Sequence, residues 1–403
     1  METFRIAAAA LRAHKLRSFL TLLGVIIGIM TVVTVVAIIS GLNAMITEQV
    51  FDLNPDVFIA TRFGIITSRE AWLEAVKRKS MDLNDVAAVR DRCRLCEMVG
   101  ASLGTSTMTK RGAQKLNRVD TAGTTANMAD LQNLDIETGR FFTSAEETRS
   151  APVVVIGADV RDELFGQIDP IGRSIRVGDR PMRVIGLLRK QGAVMGESRD
   201  KFLYMPITSW QKQFGRDSSV NVFVKAKNGV PGVDASMDEV RMILRGRRHT
   251  SFRADDPFAF VSAEMLQQLW KSISAGMFSL LTLISGISLV VGGIVIMNIM
   301  LVSVVERTRE IGVRRAIGAT QGKIRAQFLM EAVLLSLCGG LTGVLLGAAI
   351  AKTISALTPL PTRVSASLVL TSLLISIVTG VLAGVVPAWR ASKLPPVEAL
   401  RYE

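Results

Sequence analysis

Histidine and tyrosine are scarce in this sequence, with two residues of each among 403. The two histidines, His14 and His249, have no neighbour at the spacing of metal ligands. Metal binding and general acid–base catalysis both depend heavily on histidine. The composition therefore argues against a metal site and against histidine-based catalysis.

A phosphate-binding loop of the form G-x-x-x-x-G-K-[ST] is also missing from the 403 residues. The nearest segment, residues 318–324, has the wrong spacing and lacks the hydroxyl group that would hold Mg²⁺. We therefore expect no cofactor on this chain and no hydrolysis of ATP by this chain alone.

Acidic residues are outnumbered, with 35 Asp and Glu against 48 Lys and Arg, for a formal net charge of +13. A basic protein can bind nucleic acid, but no basic motif interleaved with aromatic residues is present. Many of the basic residues instead flank long apolar runs, where anionic lipid headgroups attract them. The predicted partner of this charge is membrane lipid and not nucleic acid.

Charged residues are entirely absent from four long runs, residues 18–47, 272–305, 332–351 and 364–389. Each run reaches the ~20 apolar residues that a helix needs to cross a bilayer, where lipid offers no partner to an unpaired backbone group. The alternative, very apolar core helices of a soluble protein, fits four such runs poorly. The sequence predicts four transmembrane helices.

Several glycines lie inside these runs, among them Gly292, Gly293, Gly339, Gly340 and Gly343. Small residues allow membrane helices to approach closely. For any single glycine, the ordinary enrichment of this residue in membrane helices is an equally good explanation.

The positions of lysine and arginine predict the orientation, because short cytoplasmic flanks carry an excess of both. The basic residues cluster before the first run, between the second and third, and after the fourth: Arg5, Arg12, Lys15, Arg17; Arg307, Arg309, Arg314, Arg315, Lys323, Arg325; Arg390, Lys393, Arg401. Both termini should therefore be cytoplasmic and residues 48–271 extracytoplasmic. A bacterial inner membrane is what the resemblance described below implies. The first run is longer than the apolar part of a signal peptide and shows no clear cleavage site, so we interpret it as an uncleaved anchor.

The predicted fold is an α-helical membrane protein with four transmembrane helices and a large α+β extracytoplasmic domain inserted between the first and second. Residues 1–17 are predicted to be an interfacial amphipathic helix, with an extension of the first span as the alternative. The remaining predicted segments are 18–47, first span and stalk; 48–271, outer domain of two subdomains; 272–305, stalk and second span; 306–326, charged helix and connector; 327–352, third span; 353–363, short external loop; 364–390, fourth span; 391–403, cytoplasmic tail.

The outer segment has the mixed composition of a globular α+β domain. Helices are predicted at 68–79, at 82–91 with Asp82 as its N-cap, and at 232–245. Strands are predicted at 153–156, 203–205 and 220–225, and a hairpin pairs 174–177 with 182–187 around Gly178-Asp179.

The segment VVERTREIGVRRAIGAT, residues 304–320, is a charged stretch between two apolar runs. Glu310 and Arg314 have the i,i+4 spacing that supports an exposed helix. Gly318 is placed to end this helix, and Thr320 can cap the next one. A charged helix between two spans has to dock on something, although a merely solvated charge run that marks topology is the alternative.

Three cysteines occur in the sequence, and two of them form a C-x-x-C at Cys93 and Cys96 in the outer segment. A strained local disulfide is the first interpretation, because oxidation is possible outside the cytoplasm. Two free thiols are the second, and a redox centre is a distant third because nothing else resembles a thioredoxin-like unit. Cys338 lies in a predicted span and is assigned to packing.

Several sequence words carry a resemblance over almost the whole chain. They are LRAHKLRSFLTLLGVIIGI (11–29), ETGRFF (137–142), APVVVIGADV (151–160), ELFG (163–166), DPIG (169–172), RVIG (183–186), VVGGIVIMNIMLVSVVERTREIGVRRAIGAT (290–320), FLMEAVLLSLCGGLTGVLLG (328–347) and PAWRASKLPPVEALRYE (387–403). In this order and spacing, the words resemble the permease part of the MacB/FtsX superfamily of ABC transporters, most closely its MacB-type branch.

This resemblance implies that the charged segment is a coupling helix seated in a groove of a cytoplasmic ATPase. Ile311 and Ile317 would then supply apolar contacts, and Arg307, Arg314 and Arg315 would face acidic groups of that partner. The full set of implied coupling residues is Glu306, Arg307, Thr308, Arg309, Glu310, Ile311, Gly312, Arg314, Arg315, Ala316, Ile317, Gly318 and Ala319.

The resemblance also implies the partners. MacB-type proteins can carry an ATPase domain ahead of the first span, and its absence from these residues implies a separate ATPase subunit in two copies that binds ATP and Mg²⁺. A second permease copy, as a homodimer, is implied, and a periplasmic adaptor and an outer-membrane exit duct are further expected partners.

The implied function is mechanotransmission, in which ATP-driven closure of the cytoplasmic subunits moves the outer domains. Efflux of small molecules or peptides is the expected outcome. Two alternatives stay open: lipoprotein release from the membrane, and FtsX-like signalling that activates a cell-wall hydrolase.

Overall fold

The computed structural model describes residues 15–45, 54–194 and 196–395. The chain divides into two compact units, one of Met1–Ile46 with Lys271–Glu403 and one of Thr47–Trp270. We call them the membrane unit and the α+β unit. The predicted interfacial helix, residues 1–17, falls mostly outside the described residues, as do residues 396–403 of the predicted tail.

Helices and strands in the described residues are numbered in chain order. The helices are α1 (Lys15–Met45), α2 (Arg69–Lys77), α3 (Leu83–Arg92), α4 (Met128–Leu131), α5 (Ser144–Thr148), α6 (Ala158–Phe165), α7 (Ile207–Phe214), α8 (Val233–Arg247), α9 (Ala263–Glu306), α10 (Thr308–Ala316), α11 (Gln321–Leu357) and α12 (Ala366–Lys393). The strands are β1 (Val57–Thr61), β2 (Cys96–Arg111), β3 (Gln114–Thr124), β4 (Ile136–Gly139), β5 (Val153–Ile156), β6 (Ser174–Val177), β7 (Arg180–Leu188), β8 (Ala193–Val194), β9 (Glu197–Ser198), β10 (Phe202–Pro206), β11 (Asn221–Ala226) and β12 (Ala259–Ser262).

Four of these helices are long and apolar enough to cross a membrane, namely α1, α9, α11 and α12. The prediction of four spans with an α+β insertion between the first and second is therefore confirmed. The predicted external loop 353–363 is wrong at its start, because α11 continues to Leu357. Neither glycine nor proline occurs between Gly347 and Pro359, so nothing in this stretch ends the helix earlier.

Small residues on α11 hold the membrane unit together. Gly339, Gly343 and Gly347 recur every fourth residue, and they meet the α1 side chains Val25, Ile29 and Val33, which recur at the same interval. On the next face of α11, Ser336 and Ser376 of α12 form reciprocal hydrogen bonds to each other's carbonyls. The backbones of α1, α11 and α12 thus approach more closely than larger side chains would allow.

The α+β unit is built on one ten-stranded mixed sheet with the order β12-β1-β11-β2-β3-β10-β5-β7-β4, in which β6 pairs with both β2 and β7. The register Val177↔Arg180 closes the predicted hairpin between β6 and β7 at Gly178-Asp179. Val154 and Ile156 of β5 enter the larger core, while Val153 and Val155 enter a second core on the opposite face. Burial on both faces explains why β5 is a continuous apolar run.

An ion pair stabilises the start of α5. Arg140 contacts Glu146 with Nη1 and Nη2, each 2.7 Å from a carboxylate oxygen, and Glu146 also closes the capping box with Thr143. The hydrogen bonds from Arg140 lower the pKa of Glu146 to about 2, although partial burial opposes them.

We expect this pair to make the stability of the α+β unit pH-dependent. A lowered pKa in the folded state means that the contribution is complete above the ordinary pKa of 4.5 and is lost as the pH falls towards 2. Because half of the Arg140 side chain is exposed, we expect only about 0.5–1 kcal/mol. Denaturant unfolding of wild type and Glu146→Gln between pH 6 and about 2 tests this. Parallel pH profiles for the two proteins would contradict it.

Candidate functional site

A short helix, α10, lies between the second and third spans, and we call it the interspan helix. Arg307 separates it from α9 with a non-helical backbone at φ −103° and ψ 18°. Thr308 bridges the junction, because its hydroxyl donates to the carbonyls of Val304 and Val305 at 3.1 and 2.8 Å. The junction is therefore bent but firmly held.

The interspan helix ends as the sequence predicts. Gly318 adopts φ +102°, a conformation that glycine reaches without strain. The amide of Ala319 donates to the carbonyl of Arg314 at 3.0 Å and that of Gly318 to Arg315 at 3.1 Å, which satisfies two carbonyls of the last turn. The Thr320 hydroxyl then caps α11 by accepting from the amide of Lys323.

One face of the interspan helix is buried in the membrane unit. Thr308, Ile311 and Gly312 share this face at i, i+3 and i+4, and Ile311 is 2% exposed within the core of the unit. The expectation that Ile311 contacts a partner is therefore wrong, because its side chain is already covered by the chain's own helices.

The three arginines expected to face a partner are engaged inside the chain. Arg307 lies 3.3 Å from both carboxylate oxygens of Glu331 on α11. Arg314 donates to Gln327 at 2.8 Å and also pairs with Glu310.

Arg315 has its contacts at the end of α12. Its Nη1 donates to the carbonyls of Ser392 and Leu394 at 3.2 and 2.7 Å. Carbonyls at the end of a helix lack intrahelical partners and carry the negative end of the helix dipole, so a guanidinium suits them. All three arginines thus have contacts inside the chain while part of each side chain remains exposed, and the expectation that they face a partner stays a prediction.

The opposite face of the interspan helix is exposed. Arg309, Val313 and Ile317 recur at i, i+4 and i+8, and Ala316 lies beside them. Ile317 is 82% exposed and Val313 is 40% exposed. Val313 was not among the residues singled out in the sequence, although its helical spacing from Arg309 and Ile317 could have identified it.

The remaining predicted residues fall around this face. Glu306 and Glu310 are exposed, Gly318 is exposed, and Ala319 is half-buried against the core of the membrane unit. The arrangement offers a partner a small apolar ridge with charged residues on both sides, carried by a helix whose other face is fixed.

The two clustered cysteines lie in the α+β unit, away from the interspan helix in sequence. Cys93 and Cys96 are joined by a disulfide with a Cα–Cα distance of 5.5 Å. The carboxylate of Glu239 accepts from the amides of Arg94 and Leu95 between them. The turn is thus held by an ion–amide contact in addition to the covalent bond.

Two family profiles match the chain. The MacB-like periplasmic core domain matches residues 18–243, and the FtsX-like permease C-terminal domain matches residues 282–396. The second match contains the interspan helix and the two spans that its arginines contact.

Curated relatives match over the full length of this chain. The macrolide export ATP-binding/permease protein MacB of Neisseria gonorrhoeae is 35% identical over 408 residues, which cover 100% of this chain and 61% of that protein. The uncharacterized ABC transporter permease YknZ of Bacillus subtilis is 31% identical over 406 residues, 100% of this chain and 99% of that protein. The chain thus spans about three fifths of the length of the MacB relative and nearly all of YknZ.

Among solved structures, the periplasmic region of MacB from Actinobacillus actinomycetemcomitans aligns with a TM-score of 0.47 at 16% identity. The alignment covers 56% of this chain and 97% of that structure.

Proposed function

The chain belongs to the MacB/FtsX family of ABC transporter permeases, and from this premise we propose that the interspan helix is the docking element for a cytoplasmic ABC ATPase. ATP-driven movement of that ATPase would shift the helix, and the spans would pass the motion to the α+β units of two permease copies. The complex would contain two permeases and two ATPase subunits.

The exposed ridge of the interspan helix carries this proposal. An isoleucine that is 82% exposed beside a valine that is 40% exposed offers a partner an apolar anchor, and anchors of this kind dominate interface energies. The buried opposite face and the contacts of Arg314 and Arg315 inside the membrane unit hold the ridge in one position. A docking surface that is already ordered loses little conformational entropy when its partner binds.

Supply of ATP hydrolysis by a separate polypeptide fits the sequence and its relatives. None of the 403 residues forms a phosphate-binding loop. YknZ, of which this chain covers 99%, is named a permease. The longer relatives are named ATP-binding/permease proteins. The basic residues beside the interspan helix favour its placement on the cytoplasmic side, where ATP is available.

Export of small molecules or peptides is the transport function we propose, because the large α+β unit matches the MacB-like core domain. An adaptor and an exit duct would complete such a pathway. Two competing outcomes have distinct signs: accumulation of acylated proteins in the inner membrane on depletion would indicate lipoprotein release, and a cell-wall hydrolase among the binding partners would indicate signalling.

Replacing Ile317 with glutamate tests the docking role. We expect recovery of the copurifying ATPase to fall by about tenfold or more, because a central apolar contact contributes about 2 kcal/mol or more. Arg314 and Arg315 are unsuitable for this test, since their substitution would also break contacts inside the membrane unit. The measurement is quantitative mass spectrometry of partners that copurify with the full chain from native membranes.

Leu357 provides a matched control. It is 80% exposed, like Ile317, but it lies at the end of α11 that is far from the interspan helix. Leu357→Glu should leave ATPase recovery unchanged. Equal recovery with wild type and Ile317→Glu would refute docking at this ridge, and the absence of any ATPase from wild-type preparations would refute the proposed function itself.

A further inference from the structure

Two charged side chains meet where α9 passes into the interspan helix. Arg307 and Glu331 are 26% and 13% exposed, and Glu331 directly precedes the uncharged part of α11 that begins at Ala332. Charges near the hydrocarbon region are costly unless they are paired. Basic residues that only determine membrane orientation do not need an acidic partner. The pairing of Arg307 with Glu331 therefore indicates a further role for these two residues.

A second contact lies one turn earlier on the same side of α11. Gln327 precedes Glu331 by four residues and accepts from Arg314, which lies seven residues after Arg307. Ile311 lies between the two arginines and is buried. The interspan helix and the residue that precedes it are therefore attached to α11 by two polar contacts, and Ile311 lies in the core of the membrane unit between them.

The connection to α9 has a different character. The backbone leaves the helical conformation at Arg307, although the Arg307 amide still donates to the carbonyl of Ser303 and the Arg307 carbonyl accepts from the amide of Ile311, both at 3.0 Å. Motion of the interspan helix would reach α9 through this bend, and it would reach α11 through the side chains of Arg307 and Glu331, which are 26% and 13% exposed. Polar contacts in a low-dielectric environment are strong and directional, which makes such a side-on link stiff.

We propose that Arg307 and Glu331 are positioning residues that transfer motion of the interspan helix to α11. This inference rests on the proposed docking function. It assigns the first step of transmission to the third span, with α12 following through the contact of Arg315 with the carbonyls of Ser392 and Leu394. Loss of the pair should leave the ATPase bound but separate its cycle from movement of the α+β units.

The test uses the full chain with its copurifying ATPase and three variants: Arg307→Gln, Glu331→Gln, and the exchanged pair Arg307→Glu with Glu331→Arg. A spin label on Met242→Cys, a site that is 74% exposed, in a Cys338→Ser background reports the distance between the two α+β units. We expect both single variants to keep ATPase recovery within about twofold and to lose the ATP-dependent change in label distance by about tenfold. The exchanged pair should restore most of that change.

Glu146→Gln is the matched control, because it removes an ion pair of the α+β unit by the same chemistry, and it should retain the full change in distance. Single variants that move like wild type would overturn the inference. Single variants that also lose the ATPase would overturn it too, because that result indicates a structural role. An exchanged pair that does not restore the change in label distance would likewise overturn it. If wild type recovers no ATPase, the proposed function fails first, and this result is distinguishable from all of these.

Discussion

Replacing Asp85 with asparagine is expected to remove a large part of the stability of the α+β unit. The Asp85 side chain is 3% exposed, and its two oxygens lie 2.7 Å from Arg247 Nε and 2.7 Å from Arg248 Nη2. Asparagine keeps the shape but carries no charge and presents only one acceptor oxygen. Breaking a buried ion pair on one side costs about 3–5 kcal/mol, a large part of the 5–15 kcal/mol that stabilises a typical domain.

The size of this effect follows from what Asp85 joins. It belongs to the first turn of α3 and completes a capping box with Asp82, while the two arginines belong to the end of α8 and the residue after it. Arg248 is only 8% exposed, so its guanidinium would remain in the protein interior without its carboxylate. One substitution therefore weakens a helix start, a helix end and the packing between them.

Limited proteolysis of the full chain in detergent, with mass spectrometry of the fragments, would locate the loss. Cleavage within residues 54–262 should be faster in Asp85→Asn than in wild type, because the unit opens more often, while the membrane helices stay protected. If Asp85→Asn were as resistant to protease as wild type, the contacts of Asp85 with Arg247 and Arg248 would not be essential to the fold.

Asp82→Asn is the control, because that carboxylate is 52% exposed. Burial raises the pKa of Asp82, but hydrogen bonds from the Asp85 amide and Asn84, together with the charge of Arg247, lower it overall. Asparagine is as good an N-cap as aspartate, and an exposed ion pair contributes at most about 1 kcal/mol. The control should therefore remain folded.

The membrane helices and several apolar strands could be predicted from the sequence, because their signals are local, whereas the apolar strand β1 (Val57–Thr61) is not among the predicted strands. Four charge-free runs predict four spans directly, and β5 is recognisable because both of its faces are buried. The long hairpin of β2 and β3 was missed. Its outer part is rich in threonine, serine and lysine and largely exposed, and such a strand lacks the apolar alternation on which prediction depends.

At the interspan helix, the ends could be predicted but the exposed face could not be assigned correctly. Gly318 and Thr320 act through the local backbone, and both behave as expected. Ile311 and Ile317 are chemically alike, yet one is buried and the other is exposed. Residues six apart lie about 120° apart around a helix, so the spacing alone indicates that the two cannot share one contact face. Which of them turns inward depends on α11 and α12, which the sequence does not place.

Replacing Gly343 with alanine is expected to destabilise the membrane unit, although alanine is the better helix former. A Cβ atom at Gly343 would lie 2.9 Å from the Cβ of Ile29 and 3.0 Å from the carbonyl oxygen of Ile26. Neither neighbour is the end of a flexible side chain, so α1 and α11 would have to separate. Added volume in a tightly packed contact costs about 1–3 kcal/mol, which exceeds the gain of about 1 kcal/mol in helix propensity.

For Gly286, the same substitution is expected to have no destabilising effect. It lies within α9, and among the described residues nothing approaches within 4 Å of a Cβ built there. Gly286→Ala should therefore raise stability slightly or leave it unchanged, while Gly343→Ala lowers the temperature at which the detergent-solubilised chain loses its folded peak in size-exclusion chromatography. A loss of stability at Gly286 would reveal a neighbour on that face of α9 from outside the single chain, and unchanged stability at Gly343 would refute close packing between α1 and α11. In the sequence, both glycines are simply glycines within a long apolar run. A stability loss at Gly343 together with no loss at Gly286 would therefore distinguish a glycine needed for helix packing from one that reflects the ordinary frequency of glycine in membrane helices.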